Sequence, residues 1–254
     1  MTAAIVLFNI MNDDDSGSRE PPGARAQDDY VYSVFGNSDK RRIAVIIFDL
    51  TITFTEPCLG AAPMSHELYT DFIATKRGVQ ADGEARRGSP AGDGEQLAEE
   101  LETLPDGDKG KTGFHRLPDG APMLYDYVLK GFFKDACGML RYDADSLSKK
   151  RKAYKRLIDG VVFVTPRRIP LAMAGPMEVL ERPLRAQTMQ GERVALAYSE
   201  MVPVGTLFRC EIRTLGDAID EAQLREWLDY GALRGIGQWR NGSWGRFEYT
   251  LVRR

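Results

Sequence analysis

Near its C-terminal end the chain reads Gly235-Ile236-Gly237-Gln238-Trp239-Arg240-Asn241-Gly242-Ser243-Trp244-Gly245-Arg246-Phe247. Glycines this dense leave little bulk on the backbone, so its N–H groups can approach a phosphate closely. Arginine grips phosphate and indole rings stack on bases. Gly235, Gly237, Arg240, Asn241 and Arg246 are therefore candidate contacts to a polyanion. Trp239 and Trp244 either join them or pack on the helix behind the loop.

Two further basic segments stand out. Lys130, Lys134 and Arg141 share one stripe of a helical pattern. Lys149, Lys150, Arg151, Lys152, Lys155 and Arg156 form the most basic run of the chain. Either set is a solvated helix face or a row of phosphate contacts, which give affinity without sequence preference.

The 254 residues carry a net charge of −3 that is unevenly divided. Residues 1–30 hold six acidic residues against Arg19 and Arg25, a net −4. Residues 82–108 hold nine against Arg86 and Arg87, a net −7, which leaves +8 on the remainder. Both acidic stretches are rich in Gly, Pro and Ala, a composition that does not offset its own ordering entropy. They read as a disordered extension over residues 1–40 and a disordered insertion at about 80–110. The basic remainder suits a polyanionic partner. Cys58, Cys137 and Cys210 are odd in number and far apart, fitting neither a disulfide framework nor a zinc cluster. With no CxxC and only His66 and His115, no metal or cofactor is expected. The apolar run Ala3 to Ile10 is too short to span a bilayer and lacks a basic region before it. A cytoplasmic protein with no membrane partner is the expectation.

The elements that must position these residues follow from periodicity. Arg41 to Thr55 alternates and is β-branched, a strand expected to be buried on both faces. A short helix is expected from Ser65, and a strong one over Tyr127–Arg141, with Leu129, Phe132, Phe133, Ala136 and Leu140 on one face. The run Lys149–Arg156 reads as helical, and Gly160–Val164 as a strand stopped by Pro166. Residues 169–203 carry several turn signals and read as a long hairpin excursion. Thr206–Arg213 is a strand, Ala218–Tyr230 a helix with Asp217 as N-cap, and Arg246–Val252 the last strand. The order strand, helix, strand, strand, helix, strand is the βαββαβ pattern of an α+β, ferredoxin-like fold over residues 41–254, with large insertions. The RNA-recognition motif shares this arrangement and uses the free sheet face for single strands.

Four segments, in order, resemble the RAMP superfamily (repeat-associated mysterious proteins), in particular the backbone subunits that coat guide RNA in CRISPR effector complexes. They are Pro57-Cys58-Leu59-Gly60 after the first strand, and Pro122 to Lys134, which is similar to the family's P-x-I-P-G-S-S-L-K-G. The others are Val202 to Ile212, similar to V-P-A-G-T-x-F, and the Gly235–Phe247 loop. The Leu-Lys-Gly-Phe-Phe-Lys-Asp-Ala and Gly-Gln-Trp-Arg-Asn phrases also resemble uncharacterised proteins of bacteriophages and prophages.

The resemblance implies a thumb hairpin over Glu181–Arg193, where Arg182, Arg185, Gln187 and Arg193 surround the apolar Met189. It implies a single-stranded nucleic-acid partner, RNA favoured, and self-assembly along the strand. The sequence departs from the family where Tyr125-Asp126-Tyr127 replaces the small residues before Lys130-Gly131. Asp119, in the Pro118-Asp119-Gly120 turn, is a poor match for the aspartate of target-cleaving members, so no nuclease activity is carried over. Two alternatives stay open. One is a metal-independent endoribonuclease using His115 with Lys130 or Arg185. The other is a phage interaction protein that mimics a CRISPR backbone subunit.

Overall fold

Alternation sets the first strand, but on one face only. The computed structural model describes residues 44–70, 93–105, 107, 110–188 and 191–254, all within the unit spanning residues 31–254. Strands are numbered along the chain. The first six are β1 (Val45–Phe54), β2 (Cys58–Leu59), β3 (Ala62–Pro63), β4 (Lys111–Gly113), β5 (His115–Arg116) and β6 (Pro122–Tyr125). The rest are β7 (Val162–Thr165), β8 (Arg168–Pro170), β9 (Glu178–Thr188), β10 (Gly191–Val202), β11 (Leu207–Leu215) and β12 (Phe247–Arg253). Residues 66–70 are helical, where a short helix from Ser65 was expected, and the later helices are α1 (Asp93–Glu102), α2 (Asp126–Leu140), α3 (Tyr154–Val161) and α4 (Glu221–Arg234).

The central sheet has the order β12-β1-β11-β7, every neighbour antiparallel. α2 lies between β1 and β7 in the chain, and α4 between β11 and β12. Each crossover thus returns to a strand two places away, and the strand of the other crossover lies between them. This is a mixed α+β arrangement consistent with a ferredoxin-like core. On β1 the buried side chains are Phe48, Leu50, Ile52 and Phe54, while Asp49, Thr51 and Thr53 face the other way. The expectation of burial on both faces fails because three of the last six positions are polar.

The helix-covered face is the core. Leu129, Phe132, Phe133, Ala136 and Cys137 of α2 meet Leu224, Trp227 and Leu228 of α4 over Phe48, Leu50, Phe208 and Ile212. Phe133 lies 5.6 Å from Trp227, and Phe132 lies edge-on to Phe247 at 5.8 Å. Each fully buried aromatic or aliphatic side chain here contributes about 1.5–3 kcal/mol on leaving water. α4 begins later than the sequence suggests: Asp220, not Asp217, is the N-cap, accepting from the Gln223 N–H at 2.8 Å. Gly216–Ala218 is a separate turn that lets Ile219 reach the core.

The basic run is also broken in two. Leu147–Lys150 forms a 3-10 turn and α3 starts at Tyr154. Gly160 belongs to α3, so β7 starts at Val162.

Around this core sit two further sheets, most of whose strands span two to four residues, too short for periodicity to reveal. One has the order β2-β10-β4-β3, with β9 pairing β10 along an eleven-residue ribbon from Glu178/Met201 to Thr188/Gly191. The other is β5-β6-β8. Part of the acidic stretch is structured as well. α1 occupies residues 93–102, where disorder was expected, because its charges find partners. Glu99 meets Arg167 at 2.9 Å and Arg168 at 2.7 Å, and Tyr69 donates to Glu100 at 2.7 Å. The extension over residues 1–40 and Met189 lie outside the described residues. Among those described, no helix is long and apolar enough to cross a membrane.

Candidate nucleic-acid interface

The loop after α4 is built by its glycines. Gly235, Gly237 and Gly245 take φ of 82°, 91° and 70°, a region that L side chains rarely adopt. A Cβ on Gly237 would lie 2.9 Å from the Leu59 carbonyl oxygen and 3.0 Å from the Cys58 sulfur. Cβ atoms on Gly235 and Gly245 would overlap the carbonyl oxygens of Trp244 and Ile236. Six of the eleven N–H groups from Gly235 to Gly245 are spent inside the fold. Gly235 donates to Gly231, Ile236 to Gly245, Gly245 to Pro57, Gln238 to Leu59 and Gly242 to Trp239. Close backbone approach here therefore serves the turn itself, seating it on the β2 segment. Gln238 completes the seat, accepting from Thr112 at 2.9 Å and Ser199 at 3.1 Å.

Seated this way, the turn faces the ribbon across an open groove of about 690 Å³. Arg182, Arg234, Arg240, Trp239, Trp244 and Asn241 are among its lining residues. Asp135 of α2 anchors the cationic wall, accepting from Arg240 at 2.8 Å with Arg234 at 3.7 Å. Arg234 also donates to the Asn241 side chain, and Arg182 of β9 lies against the Trp239 ring. Burial lowers the pKa of Arg182 from its ordinary value, yet no group nearby removes its charge. One carboxylate is thus shared by two guanidinium groups beside a third. The groove keeps a net positive charge, and two half-buried indoles flank it.

The structure brings together Arg182, Gly237, Arg240 and Asn241 of the expected contacts. It adds Arg234, Trp239 and Trp244. Arg246 instead donates to the Leu233 carbonyl at 2.8 Å, closing the end of α4, and Gly235 is the helix C-cap. Lys130, Lys134 and Arg141 lie away from the groove lining. Lys130 stands over Phe163 at 5.2 Å, Lys134 pairs with Asp159 of α3, and Arg141 lies over Tyr154 at 5.8 Å. Arg185 and Gln187 lie on β9 and Arg193 on β10, with Arg185 opposite Val194 and Gln187 opposite Glu192. Their side chains lie outside the described residues.

The open face of the central sheet has a different character. It holds a depression of about 570 Å³ lined by Asp49, Thr51, Arg209, Glu211, Arg213 and Arg254, among others. Arg254 bridges Asp49 and Glu211 at 2.5 and 2.9 Å. Phe163 at the β7 edge is the aromatic ring on this face among the described residues, so it offers no row of stacking platforms.

His115 sits in neither place. It is 7% exposed, with its ring 4.8 Å from Tyr125 and 5.8 Å from Tyr69. Thr103 Oγ1 lies within hydrogen-bond distance of both His115 Nδ1, at 3.1 Å, and the Tyr125 hydroxyl, at 3.0 Å. Burial pushes the imidazole pKa down to about 4. The ring is neutral near pH 7 and enclosed, so it offers no proton to a phosphodiester. Asp119 accepts from the Ala121 N–H at 3.0 Å, as a turn residue does.

A pH test follows from His115. The unfolded chain binds this proton near pH 6.5, and the folded chain only near 4. Its contribution is complete above pH 6.5 and is lost as pH falls towards 4, by about 3 kcal/mol at most. Urea unfolding of wild type and His115→Phe at pH 7.5 and 4.5 checks this. Wild type is expected to lose more stability across that window than the variant, and equal losses would contradict the assignment.

No family model and no curated protein matches the chain. Among solved structures it is similar to a chain of the type III-B Cmr-beta assembly bound to cognate target RNA, with a TM-score of 0.42 and 10% identity. The superposition covers 82% of this chain and 60% of that one, so this protein spans about three fifths of its neighbour's length. A likeness at this level describes resemblance in shape and carries no statement about activity.

Proposed function

We infer that this chain is a RAMP-like binding protein for single-stranded nucleic acid, RNA in preference to DNA, that holds its strand without cutting it. The observation that carries this reading is the groove between ribbon and turn, where Arg182, Arg234 and Arg240 stand beside Trp239 and Trp244. Guanidinium groups hold phosphates whatever the sequence, and indole rings can stack only on bases that are not paired. The exposed Asn241 amide suits a ribose 2′-hydroxyl, the group that separates RNA from DNA. Assembly of copies along one strand belongs to the same proposal. The outward face of the ribbon, with Val179, Val194 and Leu196 each more than half exposed, is where neighbouring copies would meet.

Filter binding of labelled single-stranded RNA and DNA over a salt series tests the reading. Retention of RNA above DNA is expected, with log affinity falling linearly in log salt by about 0.7 per phosphate engaged. Affinity indifferent to salt, or no retention of any single strand, would overturn it.

A further inference from the structure

The basic run after α2 forms a second surface that the groove does not use. Six cations lie between residues 149 and 156, and none forms an ion pair among the described residues. Lys149, Lys150, Lys152, Lys155 and Arg156 are exposed, and Arg151 is half-buried. The acidic residues close to them in sequence are Asp143 and Asp145. Asp159, one turn along α3, is already paired with Lys134. Like charges crowded this way repel one another. Lys155 and Arg156 also occupy the first turn of α3, which has no acidic residue and no side-chain cap to offset the helix dipole. The cluster therefore costs stability in isolation and gains it when an anion is present.

The turn that presents these charges is fixed from beneath. Ser148 is fully buried; it accepts from Trp227 Nε1 and Gln223 Nε2, each at 3.0 Å, and donates to Glu226 at 2.9 Å. Glu226 also accepts the Leu147 N–H at 2.8 Å, and Ser146 caps the turn. The apolar side of α3 is committed inward, with Ile158 fully buried and Tyr154 against Gly138. The helix has no free greasy face to lay into a bilayer. What remains is an array of charged tips carried on a fixed turn, with Lys149 Nζ also donating to the Ala144 carbonyl at 3.2 Å, the form suited to a line of phosphates.

We propose that the surface formed by Leu147–Lys150 and the start of α3 is a separate site for the phosphate backbone of a nucleic acid. Glu226 and Arg234, eight residues apart on α4, put the patch and the groove about 12 Å apart along that helix. A duplex and the part of a long strand that has left the groove present the same chemistry to this patch.

The test compares wild type, the patch variant Lys149→Gln/Lys150→Gln/Lys152→Gln/Lys155→Gln, and the groove variant Arg182→Gln/Arg240→Gln. Fluorescence anisotropy is read with three probes: a duplex of about 20 base pairs, a strand of about 30 nucleotides, and one of about six that only fills the groove. The patch variant is expected to bind the duplex or the long strand at least tenfold more weakly near physiological salt, with a salt slope shallower by about 3, and to keep the short strand unchanged. The groove variant is expected to lose the short strand and keep the duplex, so failure of the groove reading is distinguishable from failure of the patch. Unchanged duplex and long-strand binding by the patch variant would overturn the proposal. So would tighter binding of wild type to phosphatidylserine vesicles or to polyglutamate than to either nucleic acid.

Discussion

Replacing Gly245 with alanine is expected to destabilise the protein by about 3 kcal/mol or more. Two separate physical effects add at this position. The residue sits at φ 70°, where an L side chain costs about 1–2 kcal/mol relative to glycine. Its Cβ would also overlap the Ile236 carbonyl oxygen, a backbone atom with no rotamer through which to escape. Relief requires opening the Ile236 N–H to Gly245 bond at 2.9 Å and the Gly245 N–H to Pro57 bond at 2.9 Å. Those bonds seat the turn, so the loss would reach the groove as well as the melting curve. Urea or thermal unfolding gives the stability. Gly216→Ala, with φ 58° but open space around its Cβ, is the matched control. Its cost is expected to be confined to about 1–2 kcal/mol. Equal losses at both sites would show that overlap at Gly245 plays no part.

The second large effect concerns Arg182 and Arg240. Converting both to glutamine removes two positive charges from opposite walls of the groove and keeps comparable side-chain bulk. Single-stranded RNA affinity is expected to fall by about 10- to 100-fold, and the salt slope to become shallower by about 1.4. Because such contacts hold phosphate, the loss is expected to be similar for any base sequence. Arg240 also satisfies Asp135, which keeps Arg234 nearby after the change. The fold is therefore expected to survive, and circular dichroism of the variant checks that. Unchanged affinity with an intact fold would exclude the groove as the binding surface.

The core was largely readable from residue pattern. The alternation of β1 and β11 and the apolar face of α2 reflect solvent on one side and a packed layer on the other, which any single strand or helix records in its own period. Burial of β1 on both faces was misread because Ile43 to Phe48 is apolar throughout, while Asp49, Thr51 and Thr53 carry the real signal. The break between the Leu147–Lys150 turn and α3 was invisible, since it is imposed by Trp227 and Glu226, nearly eighty residues away. The short strands of the other sheets escaped for the same reason: a two-residue strand such as β5 has no period, only a partner.

The site was legible by halves. Arg240 and Asn241 announce themselves in a loop of glycines, and Arg182 is marked only by the resemblance of its hairpin to the RAMP thumb. Arg234 and Asp135 look like ordinary helix-surface charges until α2 and α4 pack, although a basic residue just before the Gly235 cap is a usable sign. Composition also cannot say whether a glycine admits a ligand or a neighbouring carbonyl. In the Gly235–Gly245 turn the neighbours are carbonyls.

A segment pinned by its own glycine turns and its seat on β2 forfeits little freedom when a guest arrives, and reshapes little to suit one guest over another. Selectivity would then rest with the flexible tips of arginine and asparagine side chains, leaving a receptor tolerant of what it holds and firm about where.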